Sequence, residues 1–226
     1  RTIFSLGAKG TTIFAGMFHG LYASTDNGTS WKPANNGLYI NGPISSLVVN
    51  GPAIFAATYN GVYKSTNNGD LWIPVNTGIT NTNVSTPINT LAISGTTMFA
   101  GSLGSHGGVY MTTDNGTSWT PANSGLGTLD ITSLTANGST IFAGTNGGGV
   151  FISTDNGSSW SPLNSGLTNL YISSLAISGA TIFAGTDGNG VFSNSTVLTG
   201  IKEETTAAFQ FSILPNPAKG MVNIVT

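Results

Sequence analysis

Apolar and β-branched residues fall along the chain in short runs bounded by Gly, Pro or Asn-Gly, as in Ile172–Ser178, Thr181–Thr186 and Gly190–Ser193. Runs this short between turn formers predict strands rather than helices. They do not alternate cleanly between polar and apolar, as a sheet with one wet face does, so both faces of each sheet are expected to be covered. The runs also recur. Ile13-Phe-Ala-Gly16 returns as Ile54-Phe-Ala-Ala57, Met98-Phe-Ala-Gly101, Ile141-Phe-Ala-Gly144 and Ile182-Phe-Ala-Gly185, which spaces Phe14, Phe55, Phe99, Phe142 and Phe183 by 41, 44, 43 and 41. Ten residues before each motif stands Ile3, Ile44, Ile88, Ile131 or Ile172, and after it comes Tyr22, Tyr63, Tyr110, Phe151 or Phe192. The first four copies run on to Trp31, Trp72, Trp119 and Trp160, each followed at alternating positions by Pro, Asn and Gly.

A period in the forties accommodates four strands of about six residues and four loops of about four. Stacking such four-stranded units radially covers both faces of every sheet, with the Ala-Gly pairs permitting close approach. The fold class is therefore all-β, a β-propeller of about five blades or part of a larger one, with units starting near residues 3, 44, 88, 131 and 172. A β-solenoid would need shorter coils. Each Trp ends a turn of one pattern, Ser24-Thr-Asp26-Asn-Gly28-Thr-Ser-Trp31, repeated around Asn67 and Trp72, Asp114 and Trp119, and Asp155 and Trp160. Asp is expected to accept backbone N–H groups, Asn-Gly to take positive φ, and Trp to fold back under its own hairpin, worth at most roughly 4–6 kcal/mol.

These segments resemble the Asp-box, S/T-x-D-x-G-x-x-W, of bacterial neuraminidase repeats found in sialidases, sortilin-like receptors, plant-polysaccharide hydrolases and photosystem-assembly propellers. The resemblance covers residues 1–196 and implies that Asp26, Asp114 and Asp155 are fold elements. Asn67 agrees, since an amide replaces a hydrogen-bond acceptor but not a catalytic carboxylate. Calcium needs more carboxylate oxygens than Asp-Asn-Gly offers.

Unit five loses its box, and residues 197–210 read as a polar linker. Residues 211–226 resemble the opening of the C-terminal sorting domain of the Bacteroidetes type IX secretion system, through Leu214-Pro215-Asn216-Pro217-Ala-Lys-Gly220. Only the first strand of that small β-sandwich is present. The resemblance implies engagement of the type IX export machinery and a place outside the cell or on the outer-membrane surface of a Gram-negative bacterium. The chain opens at Arg1 with neither Met nor a signal segment, so it reads as processed or as a fragment. Unit five supplies three strands, and only Arg1 and Thr2 precede the first strand of unit one. Blade five is thus expected to show an open edge, through lost upstream sequence or with a gap filled by the tail or by another molecule in homo-association.

Composition narrows the function. Among 226 residues, six Lys+Arg against eight Asp+Glu cannot form the basic stripe that nucleic acid needs. No apolar stretch is long enough to span a bilayer. Without cysteine there is no disulfide and no thiol nucleophile. A sialidase-like site needs an arginine cluster, yet Arg1 is the only arginine. A glycosidase needs two flanking carboxyls, and Asp130 with Asp187 is the pair that could face one another. His19 and His106 occupy equivalent loops but lack a third metal ligand. No cofactor is expected. The loops joining strands two to three, and strand four to the next unit, should share one rim bearing Phe18, His19, Tyr39, Tyr59, His106, Asp130, Tyr171 and Asp187. Aromatics and amides there suit a protein or glycan contact. The expected function is an exported, non-enzymatic binding or structural module, with a fragment of a propeller-type glycoside hydrolase as the alternative.

Overall fold

The computed structural model describes residues 2–79, 87–104 and 107–195, and the backbone of Ser212–Ile213. These residues form five four-stranded antiparallel sheets, each a meander in chain order, and no helix. Blade one is β1 Ile3–Lys9, β2 Thr12–Met17, β3 Gly20–Ser24 and β4 Lys32–Pro33. Blade two is β5 Ile44–Asn50, β6 Ala53–Thr58, β7 Gly61–Ser65 and β8 Ile73–Pro74. Blade three is β9 Ile88–Ser94, β10 Thr97–Ser102, β11 Gly108–Thr112 and β12 Thr120–Pro121. Blade four is β13 Ile131–Asn137, β14 Thr140–Thr145, β15 Gly149–Ser153 and β16 Ser161–Pro162. Blade five is β17 Ile172–Ser178, β18 Thr181–Thr186, β19 Gly190–Asn194 and β20 Ser212–Ile213.

The last strand corrects the expected open edge. Ile213 pairs with Phe192 and Ser212 with Ser193, the register in which Pro33 and Lys32 pair with Tyr22 and Ala23 in blade one. The chain's own tail supplies the fourth strand of blade five.

The hydrophobic core is divided among the interfaces between consecutive blades. Between blades one and two, Phe14 and Leu21 meet Ile44, Leu47, Ile54, Tyr63 and Trp72. Equivalent sets gather around Trp119 and Trp160, and a fourth forms around Phe142, Ile172 and Phe192. In every blade the first strand carries a register shift just after its leading Ile, and a bulge of this kind re-aims a side chain. The re-aimed residue reaches the next blade: Ser45 Oγ donates to the Ile88 carbonyl at 2.7 Å, Asn89 Nδ2 to that of Thr132 at 2.6 Å, and Thr132 Oγ1 to that of Ile172 at 2.5 Å.

The Asp-Asn-Gly turns are closed by their own hydrogen bonds. Asp26 accepts from Ser24 Oγ at 2.8 Å, from the Ser30 N–H at 2.8 Å and from Ser30 Oγ at 2.6 Å. Asp114 and Asp155 repeat this with Ser118 and Ser159. Asn67 keeps one oxygen's share, accepting from Ser65 Oγ at 2.9 Å and the Leu71 N–H at 3.0 Å. At that position Leu71 has no hydroxyl to offer, so the amide forgoes nothing. Asn27, Asn68, Asn115 and Asn156 all have positive φ, as the Asn-Gly pairs predict.

Three of the four tryptophans reach the preceding blade and do not fold under their own hairpins. Trp72 Nε1 donates to the Ala34 carbonyl of the preceding blade at 3.0 Å, Trp119 Nε1 to that of Val75 at 2.8 Å, and Trp160 Nε1 to that of Ala122 at 2.8 Å. The Trp-x-Pro-x-Asn-x-Gly spacing serves this contact. Asn35 Oδ1 accepts the Leu21 N–H of its own blade at 2.6 Å, while the backbone turns at Gly37, where a Cβ would lie 2.1 Å from the Trp72 carbonyl oxygen. Trp31 has no blade before it among the described residues; its Nε1 donates to Gly28 in its own turn at 3.0 Å.

Candidate binding face

Each meander places the starts of its first and third strands and the ends of its second and fourth at one end of the sheet. The loops at that end meet in pairs, the loop entering each blade touching the loop between that blade's second and third strands. Asn60 Nδ2 donates to the Tyr39 carbonyl at 3.2 Å, and Gly42 lies against the Cβ of Tyr59. The N–H of Leu103 reaches the Pro87 carbonyl at 3.1 Å.

The loops of blades three, four and five are chained further. Asp130 accepts the Gly104 N–H at 2.9 Å on one oxygen and Asn146 Nδ2 at 2.9 Å on the other. Asn146 in turn forms an isolated bridge with Tyr171. The Tyr171 carbonyl accepts the Asp187 N–H at 3.0 Å, and Asn169 Nδ2 donates to the Asp187 carbonyl at 2.6 Å. Asp130 is therefore a loop clamp. Both its oxygens are engaged by neutral donors from two neighbouring loops.

The rings stand clear of this backbone lattice. Tyr39 is 67% exposed, and Tyr59, Tyr171 and Phe18 are exposed as well. Phe18 lies edge-on to His19 with ring centroids 4.9 Å apart and tilted to Phe4 at 6.3 Å. A pocket of about 220 Å³ opens beside them, lined by Thr2, Met17, Phe18, His19 and Tyr22. Asp187 is exposed, and His106 lies outside the described residues, as do Pro215, Asn216, Pro217 and Gly220 of the sorting motif. Among the described residues, no three His, Cys, Asp or Glu side chains gather as a metal site. The structure thus brings Tyr39 to Tyr59 and links Asp130, Tyr171 and Asp187 through Asn146, while Phe18 and His19 stand apart with Phe4. Sequence reading missed Phe4 and the amide clamps Asn146 and Asn169, because none of them recurs at the repeat period.

The turn carboxylates occupy the other end of the blades. Asp26, Asp114 and Asp155 are each held at about 2, below the ordinary 3.8, chiefly by the side-chain hydrogen bonds from Ser30, Ser118 and Ser159. Such groups stay ionised at neutral pH and are poor proton donors. Burial pushes the Tyr110 hydroxyl upward.

The family described as the DUF6242 beta propeller domain matches residues 80–216. No curated protein matches the chain. Among solved structures, the extracellular domain of BT4673 from B. thetaiotaomicron is similar at 17% identity and a TM-score of 0.69, over 84% of this chain and 26% of that one. The GH74 xyloglucanase from Xanthomonas campestris is similar at 17% identity and a TM-score of 0.64, over 82% of this chain and 35% of the enzyme. YCF48 from Cyanidioschyzon merolae gives 15% identity and a TM-score of 0.63, over 93% and 70%. These likenesses are of fold, and the chain spans about a quarter of the BT4673 domain and a third of the xyloglucanase.

Proposed function

The chain belongs to the DUF6242 beta propeller domain family, and from that premise we propose that it is an exported, non-enzymatic binding module. Its Asp-box blades serve as scaffold, its loop rim holds a protein or glycan, and its tail addresses it to type IX export and the outer surface of a Gram-negative cell. The observation that carries this reading is the rim itself: Tyr39, Tyr59 and Tyr171 project from loops whose backbones are tied together by amide and carboxylate side chains. Rigid loops bearing exposed rings meet a partner at low entropic cost, and stacking on sugars or apolar side chains needs no charge. Fold likeness to an extracellular domain fits a surface location. With Asp130 clamped, Asp187 has no described partner acid on the rim, which weighs against the hydrolase alternative.

The test is a glycan and surface-protein array probed with the wild type and with Tyr39→Asp/Tyr59→Asp, beside a chromogenic xyloglucan assay. We expect array signal from the wild type, loss of at least about tenfold in the double variant without loss of fold, and no hydrolysis. Hydrolysis abolished by Asp187→Asn would replace this reading with the enzymatic one.

A further inference from the structure

We propose that the cleft between blades one and two binds a short peptide with both termini free, held between Lys32 and Asp70. The cleft has a volume of about 480 Å³ and is lined by Thr12, Ala23, Lys32 and Asn36 of blade one and by Asn68 and Asp70 of blade two. That size falls within the roughly 300–1,000 Å³ of small-molecule sites. Asn68 and Asp70 belong to the Asn67-Asn-Gly turn, at the other end of the blade from Tyr59, so the cleft is separate from the aromatic rim.

Three departures from the repeat coincide here. Ala23 stands where blades two, three and four carry Lys64, Met111 and Ile152. Those longer side chains fill their own interfaces: Lys64 Nζ donates to the Asn115 carbonyl at 3.0 Å, while Met111 and Ile152 pack on the interblade cores. A methyl group at the same place leaves the space open. Lys32 pairs with Ala23 across the ladder, so both project from one face, and its counterparts Ile73, Thr120 and Ser161 carry no charge. Asp70 replaces Thr29, Thr117 and Ser158, whose hydroxyls donate to the backbone carbonyl of Asp26, Asp114 and Asp155 at 2.9, 3.0 and 2.9 Å. A carboxylate cannot make that bond. The other blades form without any of the three, so the fold does not require them.

The charges choose the ligand. Lys32 and Asp70 line one cleft, and among the described residues neither side chain makes an ion pair or a hydrogen bond. An anion alone would meet Asp70, and a cation alone would meet Lys32. A zwitterion satisfies both, its carboxylate taken by Lys32 and its ammonium by Asp70 through charge-assisted hydrogen bonds. The remaining polar groups suit the amides of a peptide backbone. Asn36 spends Nδ2 on the Asp70 carbonyl at 3.1 Å and keeps Oδ1 to accept, and Asn68 and Thr12 offer a further amide and a hydroxyl.

Recognition through termini and backbone makes trialanine a sufficient probe, read by amide NMR on the 226-residue chain. Trialanine should shift the amides of Lys32, Asn36, Gly69 and Asp70 saturably, and N-acetyl-trialanine and trialanine amide should each bind about tenfold more weakly. Asp70→Asn should weaken trialanine about tenfold and abolish the discrimination against the acetylated peptide while keeping that against the amide; Lys32→Met should do the reverse. Ala23→Met, which restores the side chain of blade three, should fill the cleft and remove binding at an undiminished melting temperature. Lys32 and Asp70 are exposed, so their variants remain informative if Ala23→Met fails to fold. The proposal is overturned if trialanine leaves these amides unmoved, if blocked peptides bind as well as the free one, or if each variant keeps both discriminations. Maltose moving the same amides in place of trialanine would also overturn it and give the cleft to neutral sugars.

Discussion

Two residue types govern the turns, and each gives a measurable consequence. Trp72, Trp119 and Trp160 bridge to the preceding blade and are 1%, 2% and 4% exposed, while Trp31 bonds within its own turn. Trp→Ala at the three bridging positions should therefore cost about 3–5 kcal/mol in denaturant unfolding, and Trp31→Ala about 1 kcal/mol or less in the monomer. Equal losses at all four would mean that the residue acts within its own hairpin after all. The carboxylates Asp26, Asp114 and Asp155, held at about 2 instead of 3.8, give stability that is present above pH 4 and lost as pH falls toward 2. The triple Asp→Asn variant should show a flatter fall in melting temperature across that window, since Asn67 shows that an amide can close the turn. Ser118→Ala removes the largest cause at Asp114 and should raise that carboxyl's titration midpoint, as carboxyl NMR would report.

At the scale of single elements, the bulged first strand and the short fourth strand decide how blades join. Thr132 reaches across to the Ile172 carbonyl from a bulge that no sequence pattern marks, because a bulge is defined by its partner strand. Thr132→Val keeps the shape and removes the donor; unfolding should become easier by about 1 kcal/mol, read from the denaturant midpoint at unchanged m-value. The fourth strands are two residues long, and four of them end in Pro, which suits an edge because it cannot donate outward. In blade five, Ile213 takes the place of that Pro opposite Phe192. The strand arrives from nearly twenty residues downstream, past a stretch that reads as a linker. The repeat period could not reveal it.

For the whole molecule, a core divided into interblade slabs makes stability a sum of neighbour contacts. β6 is buried at every position, whereas β1 has exposed or half-buried residues throughout. Hydrogen exchange on the monomer should find the slowest amides in β6 and β10, with markedly faster exchange in β1 and β17; uniform protection would contradict a row of separable interfaces. What the sequence by itself determined was the repeat: strand positions, the turn chemistry around Asp26, Asn67, Asp114 and Asp155, and the loops that carry Tyr39, Tyr59 and Tyr171. These depend on local propensity and on a period that five copies make unmistakable. Which blade each Trp enters, that Asp130 clamps two loops and that residues 212–213 finish blade five were decided only by tertiary structure. Each is a contact between units, and identical repeats look alike in sequence whether or not a neighbour stands beside them.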